Sequence, residues 1–89
     1  MRVEFDDAKR AATLEARGLD MARSAEVLAG ATLTVEDERR DYGEDRFITI
    51  GFLDGIMVVL VWTPRDGAYR IIGMRRANER ERTHYGRRF

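Results

Sequence analysis

The chain has 89 residues and a formal net charge of zero, which predicts one small domain whose limited core a permanent partner would stabilise. It has no cysteine and a single histidine, His84, so disulfides and thiolate metal sites are excluded and a zinc site is not expected. No apolar run approaches the roughly 18 residues of a membrane span, and no apolar signal segment opens the chain. We therefore expect a cytoplasmic protein that needs no metal or other cofactor.

The charge is unevenly distributed along the chain. Residues 1–45 hold 7 Lys/Arg and 12 Asp/Glu, a net charge of −5, whereas residues 46–89 hold 9 Arg and 4 Asp/Glu, a net charge of +5. The cations are 15 arginines and one lysine, Lys9. This distribution is compatible with one basic face, and equally with two halves that neutralise each other in the fold.

Two short helices are predicted near the start of the chain. Asp6 or Asp7 can cap a first helix over residues 8–16, where alanine and leucine dominate. Asp20 can cap a second helix over residues 21–29. Only a few residues separate the two segments, so we expect them to form a helical hairpin.

Four strands are predicted to follow. Residues 31–35 alternate weakly and suit an edge strand, and the charged residues 36–45 are expected to form a largely solvated loop. Residues 46–53 alternate between apolar and other side chains, while residues 56–63 are nearly all apolar and suit a central strand covered on both faces. Residues 69–74 form the last predicted strand.

Turn and cap signals separate these strands and complete the fold prediction. Residues 54–55 are Asp-Gly, a hairpin signal, and residues 64–67 are Pro-Arg-Asp-Gly, which predicts the next turn. A final helix is expected from residue 77 or 78 to residue 85, because Asn78 and Glu81 have capping-box spacing. The predicted architecture is an α+β domain with two N-terminal helices, a four-stranded antiparallel meander and a C-terminal helix, the helices packed on one face.

The candidate site is a group of arginines near strand ends. A guanidinium matches a phosphate bidentately and stays charged, so such a group could hold an RNA backbone and stabilise the charge that develops when a ribose 2′-hydroxyl attacks the adjacent phosphodiester. Solvated surface charge and ion pairs with nearby glutamates are the alternatives. The candidate RNA-binding arginines are Arg46, Arg65, Arg70, Arg75 and Arg76.

Few residues are candidates for the proton transfers that this reaction needs. Glu44 is close to Arg46 in sequence, and Lys9 could assist from the first helix. Glu81 and Tyr85 share one face of the last helix, although a helix cap or an ion pair for Glu81 and packing for Tyr85 are the alternatives.

The spacing of two of the arginines predicts an irregular strand. Arg70 and Arg75 are five residues apart, so a regular strand would point them to opposite faces of the sheet. They can share one face if the register slips by one residue, and Gly73 is the natural place for a bulge. The alternative is that the strand stops at about Gly73. In either case we expect both guanidinium groups on the side of the sheet that carries Arg46 or Arg65.

The order and spacing of these residues resemble those of the BrnT family of bacterial type II toxins. The resemblance runs from Val3 to Tyr85 and rests on Phe5-Asp6-Asp7-Ala8-Lys9, Leu14, Gly18, Gly43-Glu44-Asp45-Arg46, Arg70-Ile71-Ile72-Gly73-Met74-Arg75-Arg76-Ala77, Glu81 and Tyr85. It implies a single toxin domain over residues 1–89 with a RelE-like fold that cleaves RNA without a metal and inhibits translation. It also implies a tightly bound BrnA-type antitoxin, through which the complex would contact operator DNA.

The resemblance also implies site residues and shows two departures. It implies a catalytic set of Lys9, Glu44, Arg46, Arg65, Arg70 and Arg75, with Glu81 and Tyr85 as accessory residues. The family usually has a Lys-His pair where this chain has Ala16-Arg17, and usually has serine where this chain has Gly73. If those family residues take part in catalysis, the protein would instead be a degenerate toxin that acts as a protein- or RNA-binding module.

Overall fold

The computed structural model describes residues 1–89 as a five-stranded sheet with helices on both of its faces. The strand order is β1-β5-β4-β3-β2, in which β1 runs parallel to β5 and all other neighbours are antiparallel. The elements in chain order are β1 (Val3–Glu4), α1 (Asp7–Arg17), a 3₁₀ turn (Met21–Arg23), α2 (Ser24–Ala29), β2 (Leu33–Glu36), β3 (Phe47–Leu53), β4 (Ile56–Arg65), β5 (Ala68–Arg76) and α3 (Glu79–Gly86).

The fold class is confirmed as α+β, but the predicted four-stranded antiparallel sheet is wrong in detail. A fifth strand, β1, pairs in parallel with Tyr69 and Arg70 of β5. A strand of only two residues has no detectable sequence periodicity, so β1 could not be predicted from its own residues. It is a strand because it pairs with β5, which is distant in sequence. This pairing places the start of α1 beside the middle of β5.

Local signals explain where the helices begin and end. The side chain of Asp6 accepts a hydrogen bond from the Lys9 backbone N–H at 2.9 Å, and Gly18 ends α1 with a φ of 68°. The side chain of Asp20 caps the next segment, but that segment opens as a 3₁₀ turn before α2, so the predicted helix over 21–29 is only partly α-helical. At the C-terminus, Asn78 and Glu81 form the predicted capping box of α3.

The sheet has an apolar cluster on each face. On the α1–α2 face, Val58 and Leu60 of β4 pack in one buried cluster with residues that include Met21 and Val27. On the opposite, α3 face, Val59 lies in a second cluster with Ile50, Met57 and Ala77, against which Tyr85 of α3 packs. The prediction that all helices lie on one face is therefore wrong, because alternate side chains of β4 are apolar and each face must be covered.

Helix α2 packs very closely on β3. A Cβ atom at Gly51 would lie 2.7 Å from Cγ1 of Val27, closer than packed carbon atoms can approach. Glycine at this position therefore lets the helix lie directly against the strand.

The turn after the central strand differs from the prediction. Strand β4 continues through Pro64 to Arg65, and the turn consists of Asp66 and Gly67, with φ angles of 51° and 76°. Pro64 is tolerated because β3 begins at Phe47, opposite Trp62, so Pro64 has a strand neighbour only in β5. The turn thus occupies only the last two residues of the predicted 64–67 segment, and Pro64 and Arg65 belong to β4.

Strand β5 contains the predicted register slip. Val61 pairs with Gly73, whereas the next residue, Trp62, pairs with Ile71, which leaves Ile72 as an extra residue. Because Arg70 pairs with Thr63 and Arg75 pairs with Val59, both arginines belong to the α3 face of the sheet. The expectation that they share one face is confirmed.

Candidate functional site

An open cleft of about 220 Å³ lies where α1, β4 and β5 approach the segment before β3. Its lining contains four cations, two carboxylates and two isoleucines. It brings together five of the predicted site residues from four separate parts of the chain. The lining residues are Asp6, Lys9, Glu44, Arg46, Arg65, Arg70, Ile71 and Ile72.

Glu44 lies between two of the cleft arginines. Its Oε2 is 3.2 Å from Nε of Arg46, and its Oε1 is 3.4 Å from Nη2 of Arg65. Neither Arg70 nor Lys9 has an ion-pair partner in the structure. The cleft therefore keeps a positive excess, and its guanidinium groups are open enough to receive an anion.

The backbone pairing of β1 brings Lys9 to the cleft. Glu4 is the register partner of Arg70, and α1 begins three residues later, at Asp7. The Asp6 cap fixes the first turn of α1, and both Asp6 and Lys9 line the cleft. The sequence predicted Lys9 as an assisting residue on the first helix and the family resemblance also implied it, whereas Asp6 was missed as a lining residue because that aspartate was predicted only as a helix cap.

Arg75 lies on the same face of the sheet but does not line the cleft. Its Nη1 and Nη2 donate to the two carboxylate oxygens of Glu81 at 2.7 and 2.8 Å. These hydrogen bonds lower the pKa of Glu81 to about 2 and raise the pKa of Arg75. Glu81 also accepts from the backbone N–H of Asn78. Both alternatives for Glu81, a helix cap and an ion pair, are thus realised together.

The remaining predicted site residues, Arg76 and Tyr85, lie outside the cleft, as do His84 and Trp62. Arg76 is exposed and pairs with Val58, which places it on the α1–α2 face. Tyr85 packs against the α3-face cluster, and His84 meets its ring edge-on at a centroid distance of 4.8 Å. Trp62 stacks on Phe47 and contacts Tyr69, in a half-buried aromatic group.

The prediction of a largely solvated loop between β2 and β3 is confirmed, since residues 36–45 are exposed except for buried Asp37 and half-buried Tyr42. The side chain of Asp37 is only 1% exposed and accepts two hydrogen bonds from Arg39 at 2.8 Å, which hold its pKa well below the ordinary range. The hydroxyl of Tyr42 donates to the same carboxylate at 3.2 Å. Nothing in the run of charges distinguishes Asp37 from its neighbours, so its burial could not be predicted.

Comparison with known protein families accounts for nearly the whole chain. The family model described as "ribonuclease toxin, BrnT, of type II toxin-antitoxin system" matches residues 5–81. The chain belongs to the BrnT family. It is thus a member of a family of ribonuclease toxins, and a type II system provides such a toxin with an antitoxin partner. No curated protein matches the chain.

The two departures from the usual BrnT pattern lie beside the same part of β5. Arg17 donates from Nη1 to the backbone carbonyl of Met74 at 2.8 Å, next to Gly73. Gly73 does not have a positive φ, and a Cβ added there would meet no atom within 4 Å. The backbone thus accepts the serine that the family usually has, and glycine is not needed for the bulge.

The structure has neither a metal-binding cluster of side chains nor a membrane-spanning helix. It has no group of three or more histidine, cysteine, aspartate or glutamate side chains arranged to hold a metal ion. None of the helices has the length and apolar character that a membrane crossing requires.

Proposed function

We propose that this BrnT protein is an endoribonuclease that acts in the cytoplasm and cleaves RNA in the arginine cleft without a metal ion. The observation that carries the proposal is the convergence of Lys9, Arg46, Arg65 and Arg70 on one open cleft. Fixed cations in such a cleft supply the electrostatic stabilisation that phosphoryl transfer needs.

The reaction that suits this cleft is an internal transesterification. The 2′-oxygen of a ribose forms a bond to the adjacent phosphorus while the bond from phosphorus to the 5′-oxygen breaks, which leaves a cyclic phosphate and a 5′-hydroxyl. Arg65 and Arg70 bind the non-bridging oxygens, whose negative charge grows in the transition state. Arg46 shares this role and holds Glu44.

Glu44 and Lys9 are the cleft residues that can move the two protons. Glu44 is assigned to accept the proton of the 2′-hydroxyl, because its carboxylate lies between Arg46 and Arg65, two of the groups proposed to bind the phosphate. Lys9 is assigned to protonate the departing 5′-oxygen, because an ammonium group can donate a proton and it lies in the same cleft.

The decisive experiment is an RNA-cleavage assay of the purified protein in EDTA and in magnesium. We expect cleavage under both conditions, with products that end in a 2′,3′-cyclic phosphate, and no cleavage by the Arg65→Ala/Arg70→Ala double variant. Activity that disappears on chelation and returns with magnesium would overturn the metal-independent mechanism.

The antitoxin is proposed to be a BrnA-type protein that covers the cleft. The support is the type II family assignment together with a positive cleft that an acidic or extended segment of a partner could occupy. We expect RNA and antitoxin to compete for the toxin. Simultaneous binding of both, with Arg46 and Arg70 still accessible in the complex, would refute direct occlusion.

A binding module without catalysis is the second candidate. It is favoured by the departures at Ala16-Arg17 and Gly73, of which Arg17 donates to the carbonyl of Met74, the residue that follows Gly73 in β5. Such a protein would bind RNA with a salt-dependent affinity but leave it uncut. Growth inhibition and RNA breakdown on induced expression, relieved by the antitoxin, would separate the toxin from this alternative.

A further inference from the structure

A second groove adjoins the cleft on the loop between β2 and β3. Its lining consists of three arginines and one tyrosine and contains no carboxylate: Arg39, Arg40, Tyr42 and Arg46. It is a wide, open groove of about 520 Å³. Arg39 is paired with Asp37 and Arg46 with Glu44, so Arg40 is the groove arginine without an ion-pair partner. Its planar guanidinium group can contact a phosphate or stack on a base, which suits the groove to a nucleotide.

The groove is held in shape before any ligand arrives. The guanidinium group of Arg46 lies over the Tyr42 ring at 4.0 Å, and that of Arg40 lies over the same ring at 5.2 Å. Arg39 is fixed by its two hydrogen bonds to the buried Asp37. The backbone N–H of Asp37 also donates to the carbonyl of Arg46 at 2.8 Å, which ties the loop to the chain that enters β3.

Arg46 connects the groove to the cleft, since it lines both. A bound RNA strand that places one phosphate among the cleft arginines would therefore have its neighbouring nucleotides at the groove. Three of the four groove residues, Arg40, Tyr42 and Arg46, also line an adjoining concavity of the same loop, whose carboxylates include Glu36, Glu38, Asp41 and Asp45. A polyanion would be repelled by these carboxylates, which favours a position toward Arg39, the groove residue that does not line the acidic concavity.

We propose that this groove is an RNA subsite that binds the single-stranded nucleotides next to the phosphate held in the cleft. The inference rests on the proposed function, since it gives the cleft a substrate longer than one phosphodiester. Arg40 contributes a phosphate contact or a stacking plane, and the Tyr42 ring keeps the guanidinium planes of Arg40 and Arg46 in place.

Arg40→Ala is the variant that tests the subsite. Arg40 is exposed, lies over the Tyr42 ring and has no ion-pair partner, so its removal leaves no buried charge without a partner. Binding is measured by fluorescence anisotropy for a single-stranded 2′-O-methyl RNA of about twelve nucleotides, which lacks the attacking hydroxyl and stays uncut, and for 2′-O-methyl dinucleoside monophosphates. We expect affinity for the longer RNA to fall roughly five- to tenfold, and affinity for the dinucleotides to change by less than about twofold.

Two further variants control this experiment. Arg80→Ala removes an exposed arginine of α3 that lines neither the cleft nor the groove, and it should leave both affinities unchanged. Arg40→Lys keeps the charge but loses the planar group, so we expect an affinity between those of Arg40→Ala and the unaltered protein.

The outcomes separate the subsite from the proposed function. Cleavage by the unaltered protein, combined with an Arg40→Ala effect that is equal for both lengths or absent for both, overturns the subsite and leaves the endoribonuclease standing. A length-dependent loss in a protein that never cuts RNA supports the subsite and refutes the endoribonuclease. An Arg40→Ala variant that loses antitoxin affinity but keeps RNA affinity overturns the subsite and assigns the groove to a protein partner.

Discussion

Two groups of arginines in this protein differ in how many carboxylates are available to pair with each guanidinium group. In the first group, which lines the cleft, the single carboxylate of Glu44 contacts both Arg46 and Arg65, while Arg70 has no ion-pair partner. In the second, each arginine has one or two carboxylates to itself: Arg10 with Asp20, Arg23 with Glu26 and Asp54, and Arg75 with Glu81. The first group retains charge for a ligand, whereas the second group connects elements of the fold.

Arg75 shows what this difference teaches. It has the same side-chain type as Arg70, lies in the same strand and belongs to the same face of the sheet. Its bidentate pairing with Glu81 nevertheless satisfies its charge and anchors the first turn of α3 to β5. Shared face and shared chemistry therefore do not give two arginines the same task.

The largest expected effect is that of Arg70→Ala on catalysis. Because Arg70 has no ion-pair partner, its loss should leave the melting temperature nearly unchanged and reduce kcat by about 10²–10³-fold, as for other lost donors of transition-state charge. The measurement is cleavage of a labelled RNA, with Arg23→Ala as a matched control outside the cleft. Equal losses of activity in the two variants would remove the distinction between the two groups.

Glu81→Gln should have a smaller effect, and on stability rather than on chemistry. The amide keeps an acceptor for the Asn78 N–H, but the charged pair with Arg75 is lost, so we expect the free energy of unfolding to fall by about 1 kcal/mol. Glu79→Gln is the matched control, since Glu79 lies in the same first helical turn and is exposed. A Glu81→Gln variant with normal stability and a large loss of RNA cleavage would place Glu81 in the active site instead.

The same ion pair predicts a pH dependence. The pKa of Glu81 is lowered from 4.5 to about 2 in the folded protein, so its contribution to stability is fully present above pH 4.5 and is lost as the pH falls toward 2. The stability difference between the unaltered protein and Glu81→Gln should therefore shrink over this interval. Denaturant unfolding at a series of pH values measures it, and a difference that stays constant to the lowest pH would contradict the pairing.

The smallest expected effect is that of Gly73→Ser. The added Cβ meets open space and φ is not positive, so the free energy of unfolding should change by no more than about 0.5 kcal/mol. Since Gly73 does not line the cleft, we expect RNA cleavage to stay within about twofold of the unaltered protein, less than one lost hydrogen bond would cost. A tenfold rise in activity would show that the serine usual in the family assists catalysis.

Much of the local structure could be predicted, because its causes are local. The Asn78–Glu81 capping box and the Asp54-Gly55 turn each follow from residue types at fixed spacing. The slip in β5 was predicted from the spacing of Arg70 and Arg75, although its extra residue is Ile72 and not a glycine. The failures have long-range causes. Pro64 was predicted to lie in a turn, but β3 does not extend opposite it, and that absence of a neighbour depends on where a distant segment begins.

The candidate site shows the same division. Arginine content and the resemblance to the BrnT family selected Lys9, Glu44, Arg46, Arg65 and Arg70, and the structure brings these five residues to one cleft. Arginine content and the family resemblance also selected Arg75 and Arg76, which lie outside the cleft. Which arginine is paired with a carboxylate depends on distances between elements that are far apart in sequence, and residue type carries no information about those distances.

The sequence by itself determined the order of most elements, their caps and turns, and the supply of guanidinium groups, because these depend on backbone preferences and side-chain chemistry within a few residues. The tertiary structure alone decided that Val3–Glu4 pairs with β5, that α3 covers the face opposite α1 and α2, and that Asp37 is buried beneath Arg39. Each of these results from burying apolar surface and pairing charges between segments that meet only when the chain is folded, so no local pattern records it.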